Sequence, residues 1–125
     1  MNIPAELKYS SDHEWIKVDG DVATVGITDH AQSQLGDIVF VDIQTEGETL
    51  GKGEVFGAIE AVKTVADAFM PLSGEIMEVN TELESTPDAV NKDPYGAGWM
   101  VKIKLSNPAE VDELLSADDY KALIA

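Results

Sequence analysis

The sequence of 125 residues contains no cysteine, and all eight of its basic residues are lysines, so it contains no arginine either. Without thiols there can be no disulfide, no thiolate nucleophile, and no zinc or iron–sulfur site held by cysteine. Without guanidinium groups there is no planar fork for bidentate binding of phosphate or carboxylate. No apolar run approaches the ~20 residues that a membrane-crossing helix needs. The first residues, Met1 to Glu6, show neither a basic segment followed by an apolar stretch nor a transit-type pattern. GxGxxG, GxSxG and HxxxH spacings are all missing, and Gly51-Lys52-Gly53 lacks the rest of a phosphate loop.

What is abundant is negative charge. Twelve Asp and twelve Glu face the eight lysines, for a formal charge of −16 with both histidines neutral. Nucleic acids and anionic membranes would be repelled, whereas partners with basic patches would be attracted and steered. The 44% hydrophobic and 26% charged content is that of an ordinary globular protein, and the length suits one domain spanning residues 1–125.

Along the chain the signals are mostly those of strands. Glu14 to Val18 and Val22 to Ile27 flank Asp19-Gly20-Asp21, a hairpin signal in which Gly accepts a positive φ, and Ala23, Val25 and Ile27 share a face. A short helix is predicted over Asp29 to Leu35, with Thr28 as N-cap and Gly36 as stop. Ile38 to Ile43 is apolar on both faces at first and reads as a buried strand. Gly47, Gly51 and Gly53 mark a turn-rich stretch, and Pro71 to Gly74 a turn before the strand-like run Glu75 to Val79. Trp99, Val101, Ile103 and Leu105 alternate with Met100, Lys102 and Lys104, the clearest period-2 pattern in the sequence. Helices close the chain: Pro108 suits a first turn, Val111, Leu114 and Leu115 are expected on one face, and Ser116 caps a last helix through Leu123 with Asp119 near its positive end.

One segment reads two ways. In Glu54 to Met70 the residues Val55, Ile59, Val62, Ala66 and Phe69 have helical spacing, and pattern alone favours a helix. As a strand, Val55, Gly57, Ile59 and Ala61 would line one face, and the β-branched residues favour this reading. The choice decides where Lys63 points. Lys63 is the only cation between Lys52 and Lys92. On a helix it would be one more surface lysine; at a hairpin tip it would be an accessible amine for modification. Elsewhere, Asp118-Asp119 and the Glu82/Glu84 pair read as solvated surface, because carboxylates this numerous pair by chance. His13 and His30 read as hydrogen-bonded polar residues, although His13-Glu14-Trp15 at a strand start can line a cleft. No constellation of enzyme type emerges.

The sequence closely resembles one family, the H protein of the glycine cleavage system. The match runs from about Ala5 to the C-terminal helices. It rests on Leu7-Lys8-Tyr9-Ser10, His13-Glu14-Trp15, Val25 to Gln32, Leu35 to Val41, Glu60-Ala61-Val62-Lys63, Pro71 to Ile76, Val79-Asn80, Pro94-Tyr95-Gly96 and Gly98-Trp99. The resemblance implies a mainly β protein, a lipoyl-domain-like β sandwich (barrel-sandwich hybrid) with short added helices, including C-terminal ones. It overrules the helix over Glu54 to Met70 in favour of strands on either side of Lys63. It further implies a non-catalytic, monomeric carrier with lipoic acid amide-linked to Lys63 and Glu60 belonging to the lipoylation motif. Such a carrier takes an aminomethyl group from glycine decarboxylase to aminomethyltransferase, is reoxidised by dihydrolipoamide dehydrogenase, and is itself a substrate of lipoylating enzymes. Glu14 and Asp67 match cleft-lining positions that can accept hydrogen bonds from the loaded arm's ammonium. The expected compartment is the bacterial cytoplasm, or the mitochondrial matrix if a transit peptide has been removed.

This sequence departs from the family pattern at Gln34, where some relatives carry His, and at Ala61 and Thr64, where Ser and Ala are common. Asp-Lys-Ala would mark the lipoyl domains of 2-oxo acid dehydrogenases, and Met-Lys-Met a biotin carrier; Val62-Lys63-Thr64 is neither. A lipoate relay without glycine cleavage and an unmodified acidic interaction domain are the remaining alternatives.

Overall fold

The computed structural model describes all residues, Met1–Ala125. Nine strands form two antiparallel sheets: β1 (Lys8–Tyr9), β2 (Glu14–Asp19), β3 (Val22–Ile27), β4 (Ile38–Asp42), β5 (Thr49–Leu50), β6 (Val55–Ala61), β7 (Val65–Phe69), β8 (Gly74–Val79) and β9 (Val101–Leu105). One sheet has the order β1-β2-β3-β9-β8-β5 and the other β4-β6-β7. Three short helices are added, α1 (Asp29–Leu35), α2 (Ala89–Lys92) and α3 (Ala117–Ile124), with 3₁₀ turns at Thr81–Glu84 and Pro108–Glu113. The fold is thus a mainly β sandwich with short helices, one of them C-terminal. No helix is long and apolar enough to cross a membrane.

The β2–β3 hairpin forms where the alternation and Gly20 place it, with Asp19 opposite Val22 and Gly20 at φ 65°. Ala23, Val25 and Ile27 all point into the core. Helix α1 begins where Thr28 accepts a hydrogen bond from the Ala31 N–H (3.1 Å) and stops at Gly36, whose φ of 78° few other residues tolerate. Ser116 caps α3 in the same way, through the Asp119 N–H at 3.2 Å.

Between the sheets lies a core of 18 buried residues, with Ile16, Val25, Ile76 and Ile103 on one side and Ile38, Val41, Ile59 and Ala68 on the other. A second cluster, built on Tyr9, Trp15 and Tyr120, holds α3 against the β1–β2 end; the Tyr9 and Tyr120 rings stack at 4.9 Å.

The strands that the resemblance implied on either side of Lys63 are present as β6 and β7, and the structure corrects the reading of local pattern at four places. The helical spacing in Glu54 to Met70 is fortuitous, because β6 and β7 pair with each other along that segment and β6 also with β4. Ladder hydrogen bonds and burial of Ile59, Ala61 and Ala68 outweigh a local period that has no neighbour to bury it. A register shift between Val55 and Gly57 then turns Phe56 inward and Val55 outward. Strand β4 is present but not buried on both faces. A bulge between Ile38 and Phe40 leaves Val39 and Phe40 exposed and only Ile38 and Val41 inside. At the start of β9 the alternation breaks: Met100 is fully buried and its carbonyl accepts from the Asn80 N–H, while Trp99 lies half-buried under the Lys102 ammonium. Finally, the segment after Pro108 is a 3₁₀ turn rather than an α-helix. Its apolar residues divide, with Val111 and Leu114 on the main core and Leu115 on the tyrosine cluster.

Trp15 is opposite Gly26 and lies directly over it. A Cβ at Gly26 would fall 2.6 Å from the Trp15 indole nitrogen, which is itself held by the Pro94 carbonyl at 2.8 Å. Gly26→Ala is therefore expected to lower stability by about 1–3 kcal/mol, as overpacking does, measured by urea denaturation. An unchanged midpoint would mean that the ring moves freely.

Candidate functional site

Lys63 occupies the tip of the β6–β7 hairpin. The turn Ala61 to Thr64 is closed by the bond from the Ala61 N–H to the Thr64 carbonyl (2.8 Å). A second bond anchors it, from the Val62 N–H to the Asp37 carbonyl at 3.0 Å, between α1 and β4. That corner is in turn gripped by Asn91 of α2. Its side-chain oxygen accepts from the Ile38 N–H (2.9 Å), and its amide donates to the Gly36 carbonyl (2.8 Å) and the Gln32 side chain (3.0 Å). The Lys63 side chain is exposed, joins no ion pair, and lies along Gly36, where a Cβ would fall 3.4 Å from Cε and 3.8 Å from Nζ. Glu60 precedes it on β6, exposed and opposite both Phe40 and Val65.

Alongside the hairpin runs a cleft of about 350 Å³ between α1, β7 and the start of β2. Its walls are apolar, from Ile27, Ala31, Leu35, Ile59 and Ala66, and its polar groups are Asp12, His13, Glu14, His30, Gln34 and Asp67. The cleft and Lys63 share their framing elements. Helix α1 lines the cleft and ends at Gly36 under the lysine, and β7 starts two residues after Lys63 and carries Ala66 and Asp67. The structure therefore brings Glu14 and Asp67 together in one cleft and sets Lys63 and Glu60 at the adjacent tip. Asp118, Asp119, Glu82 and Glu84 lie exposed on the surface.

Glu14 is the unusual group. Only 2% of it is exposed. Its carboxyl accepts from Ser10 Oγ at 2.7 Å and from the Phe69 N–H at 3.3 Å. Burial pushes its pKa up to about 8, against the opposing pull of those two donors. The neighbouring His13 adopts φ 68°, a left-handed conformation that costs a non-glycine residue roughly 1–3 kcal/mol. It is held there by bonds from its N–H to the Ser10 carbonyl (3.1 Å) and from the Thr28 N–H to its carbonyl (3.0 Å). The imidazole Nδ1 lies 2.9 Å from the Tyr120 hydroxyl, which is also 2.7 Å from Thr28 Oγ1. Burial and the nearby His30 ring, 5.0 Å away, lower the His13 pKa.

Sequence reasoning missed Tyr120 and Thr28 as supports of the cleft. Tyr120 is 107 positions from His13, and only its spacing from Ala117, the other buried residue of α3, hinted that it faces inward.

The Glu14 shift carries a sign. A carboxyl that holds its proton in the folded state up to about pH 8, but releases it near 4.5 when unfolded, favours folding at low pH. That contribution is lost as pH rises from about 5 through 8. Relative to Glu14→Gln, the wild type is expected to lose on the order of 3–5 kcal/mol across that range. Urea denaturation of both proteins at pH 5.5 and 9 measures it; parallel pH profiles would show that Glu14 ionises without cost.

Comparison with known proteins gives a consistent result. The family model for the glycine cleavage H-protein matches residues 7–125. A glycine cleavage system H protein of Bacteroides fragilis is 61% identical over 124 residues, covering 99% of this chain and 98% of the relative. That of Symbiobacterium thermophilum is 56% identical over 121 residues, covering 97% and 94%. The crystal structure of a glycine cleavage system H protein from Mycobacterium marinum superposes with a TM-score of 0.87 at 43% identity, covering 96% of this chain and 97% of that one. With its sandwich fold, cleft and exposed hairpin lysine, this chain belongs to the glycine cleavage H-protein family, the non-catalytic lipoyl carriers of glycine cleavage.

Proposed function

We propose that lipoate is joined through an amide to Lys63, with Glu60 part of the surface that marks this lysine for modification. The observation that carries the reading is the position of Lys63: exposed at a hairpin tip, free of carboxylate partners, and next to a cleft whose walls are apolar and whose polar lining includes Asp12, Glu14 and Asp67. The residues suit the group. An aliphatic chain finds Ile27, Leu35 and Ile59, and a cationic cargo finds Glu14 and Asp67. When bound, lipoate supplies a disulfide that can accept an aminomethyl group and be closed again by oxidation.

The chain's own residues do the rest. Lys63 Nζ gives up its charge on becoming an amide, so the formal balance of −16 becomes one unit more negative. Glu14 and Asp67 accept hydrogen bonds from the cargo ammonium. A cation so close favours ionised Glu14, and its arrival drives the Glu14 proton into solvent. The apolar walls limit water around the cargo. The hairpin is pinned at Asp37, so the tether starts from a fixed point and keeps its far end at high effective concentration wherever the carrier docks.

On this reading its partners are glycine decarboxylase, aminomethyltransferase, dihydrolipoamide dehydrogenase and the lipoylating enzymes. The acidic surface suits brief, charge-steered encounters with each. On this reading the protein acts as a monomeric single domain in the cytoplasm; the relatives it matches come from bacteria.

Protein co-expressed with a lipoylation system is expected to gain one lipoyl-sized mass on the Lys63 peptide, and Lys63→Arg to gain none. An increment on another lysine, or none in the wild type, would remove the reading. For the cleft, Glu14→Gln with Asp67→Asn is expected to shorten the lifetime of the glycine-loaded carrier by about tenfold or more, since a hydrogen bond to a charged group is worth ~1.5–3 kcal/mol. Ammonia release from the isolated, loaded protein measures this; an unchanged lifetime would exclude both carboxyls from the role.

A further inference from the structure

The outer face of the β4-β6-β7 sheet carries an uncovered apolar group beside the lysine. Phe40 is opposite Glu60, and Glu60 opposite Val65, so the three side chains stand in one row on one face. Phe40 is 42% exposed and Val65 60%. The bulge in β4 adds Val39 beside Phe40, and Val62 continues the group to the tip. Four of the protein's nine exposed large apolar residues thus fall around the tip of a single hairpin. Scattered apolar residues need no explanation, but a contiguous group next to one functional atom does. Its charged residues are acidic: Glu60 within it, then Asp42 and Asp67 in the next row, on either side of Ala58. Lys63 is the one cation there.

We propose that this patch is the docking surface for the enzyme that acylates Lys63, a protein presenting apolar side chains within a basic rim. The proposal rests on the assignment of Lys63 as the attachment site. Geometry selects this occupant. An enzyme that forms a bond at Nζ must bring its own surface over the hairpin tip and hence over the residues adjoining it. An enzyme acting at the far end of a long modified side chain has no such need. Charge agrees with this occupant without singling it out, since an acidic rim around a lone target amine complements a basic binding face. The patch therefore governs the making of the carrier and not its turnover.

The test compares Phe40→Ser with Val65→Ser, as a double variant, against wild type and against Met77→Ser, which removes an exposed apolar residue from the other sheet. Initial rates of lipoyl incorporation by a purified lipoylating enzyme are read by intact mass. Each protein is then driven to full modification by long incubation and assayed in glycine-dependent turnover at limiting carrier. The double variant is expected to lose about tenfold or more in modification kcat/KM, as loss of buried interface anchors does, and Met77→Ser to match wild type. Once modified, the double variant should turn over at the wild-type rate. Equal modification rates would overturn the proposal, as would a turnover defect as large as the modification defect. If circular dichroism shows the double variant misfolded, Val62→Ser, at the exposed tip, carries the same expectation. A wild-type protein that accepts no lipoyl group would instead overturn the attachment site itself.

Discussion

The bond from the Val62 N–H to the Asp37 carbonyl is the constraint on which the functional geometry hangs. A two-strand hairpin is marginal by itself in water, and its tip would sample many directions. Here the tip is tied to the corner between α1 and β4, and that corner is tied by Asn91 to α2. Each hydrogen bond contributes only about 1 kcal/mol net, but together they connect three elements that approach from different parts of the chain. The result is a lysine whose backbone is fixed while its side chain stays free. A carrier needs both properties: a fixed origin makes the reach of a tether predictable, and a mobile side chain lets one arm reach several sites.

The cleft depends on a different balance. Burying Glu14 costs folding energy above neutral pH, and His13 holds a left-handed backbone conformation that costs more. The surroundings offset these terms with the Tyr9–Tyr120 stack and the hydrogen bonds of Tyr120 to His13 and Thr28. In the role proposed for Glu14, burial strengthens the contact, since a carboxyl kept out of water interacts far more strongly with a cation than one on the surface. Most of the other carboxylates, spread over the exterior, give long-range steering and no specific contact.

Much of the fold could be read from local pattern. The β2–β3 hairpin, the capped ends of α1 and α3, and the inward positions of β9 from Val101 onward follow from alternation, turn chemistry and cap residues. Where reading failed, a non-local partner had decided the outcome. Glu54 to Met70 carries helical spacing, yet β4 and β7 supply ladder partners on both sides of β6, and a helix there would leave Ile38 and Val41 uncovered. The bulges at Val39 and Phe56 each insert a residue and swap which side chain faces in, and no feature of single-strand alternation announces them. Of the candidate site, Lys63 stood out as an isolated cation, but its role entered through resemblance to a family.

The sequence by itself determined composition-level properties: a protein without thiol or guanidinium chemistry, with a surface charge that repels phosphates, and with strands, turns and caps where residue preferences are strong. Those properties are sums over residues or preferences of neighbours a few positions apart. Tertiary structure alone decided that Glu14 is buried and protonated near neutrality, that His13 meets Tyr120 across 107 positions, and that Lys63 rests on Gly36 beside the cleft. Desolvation and contact depend on which distant surfaces close over a group, and that closure exists only once both sheets have packed.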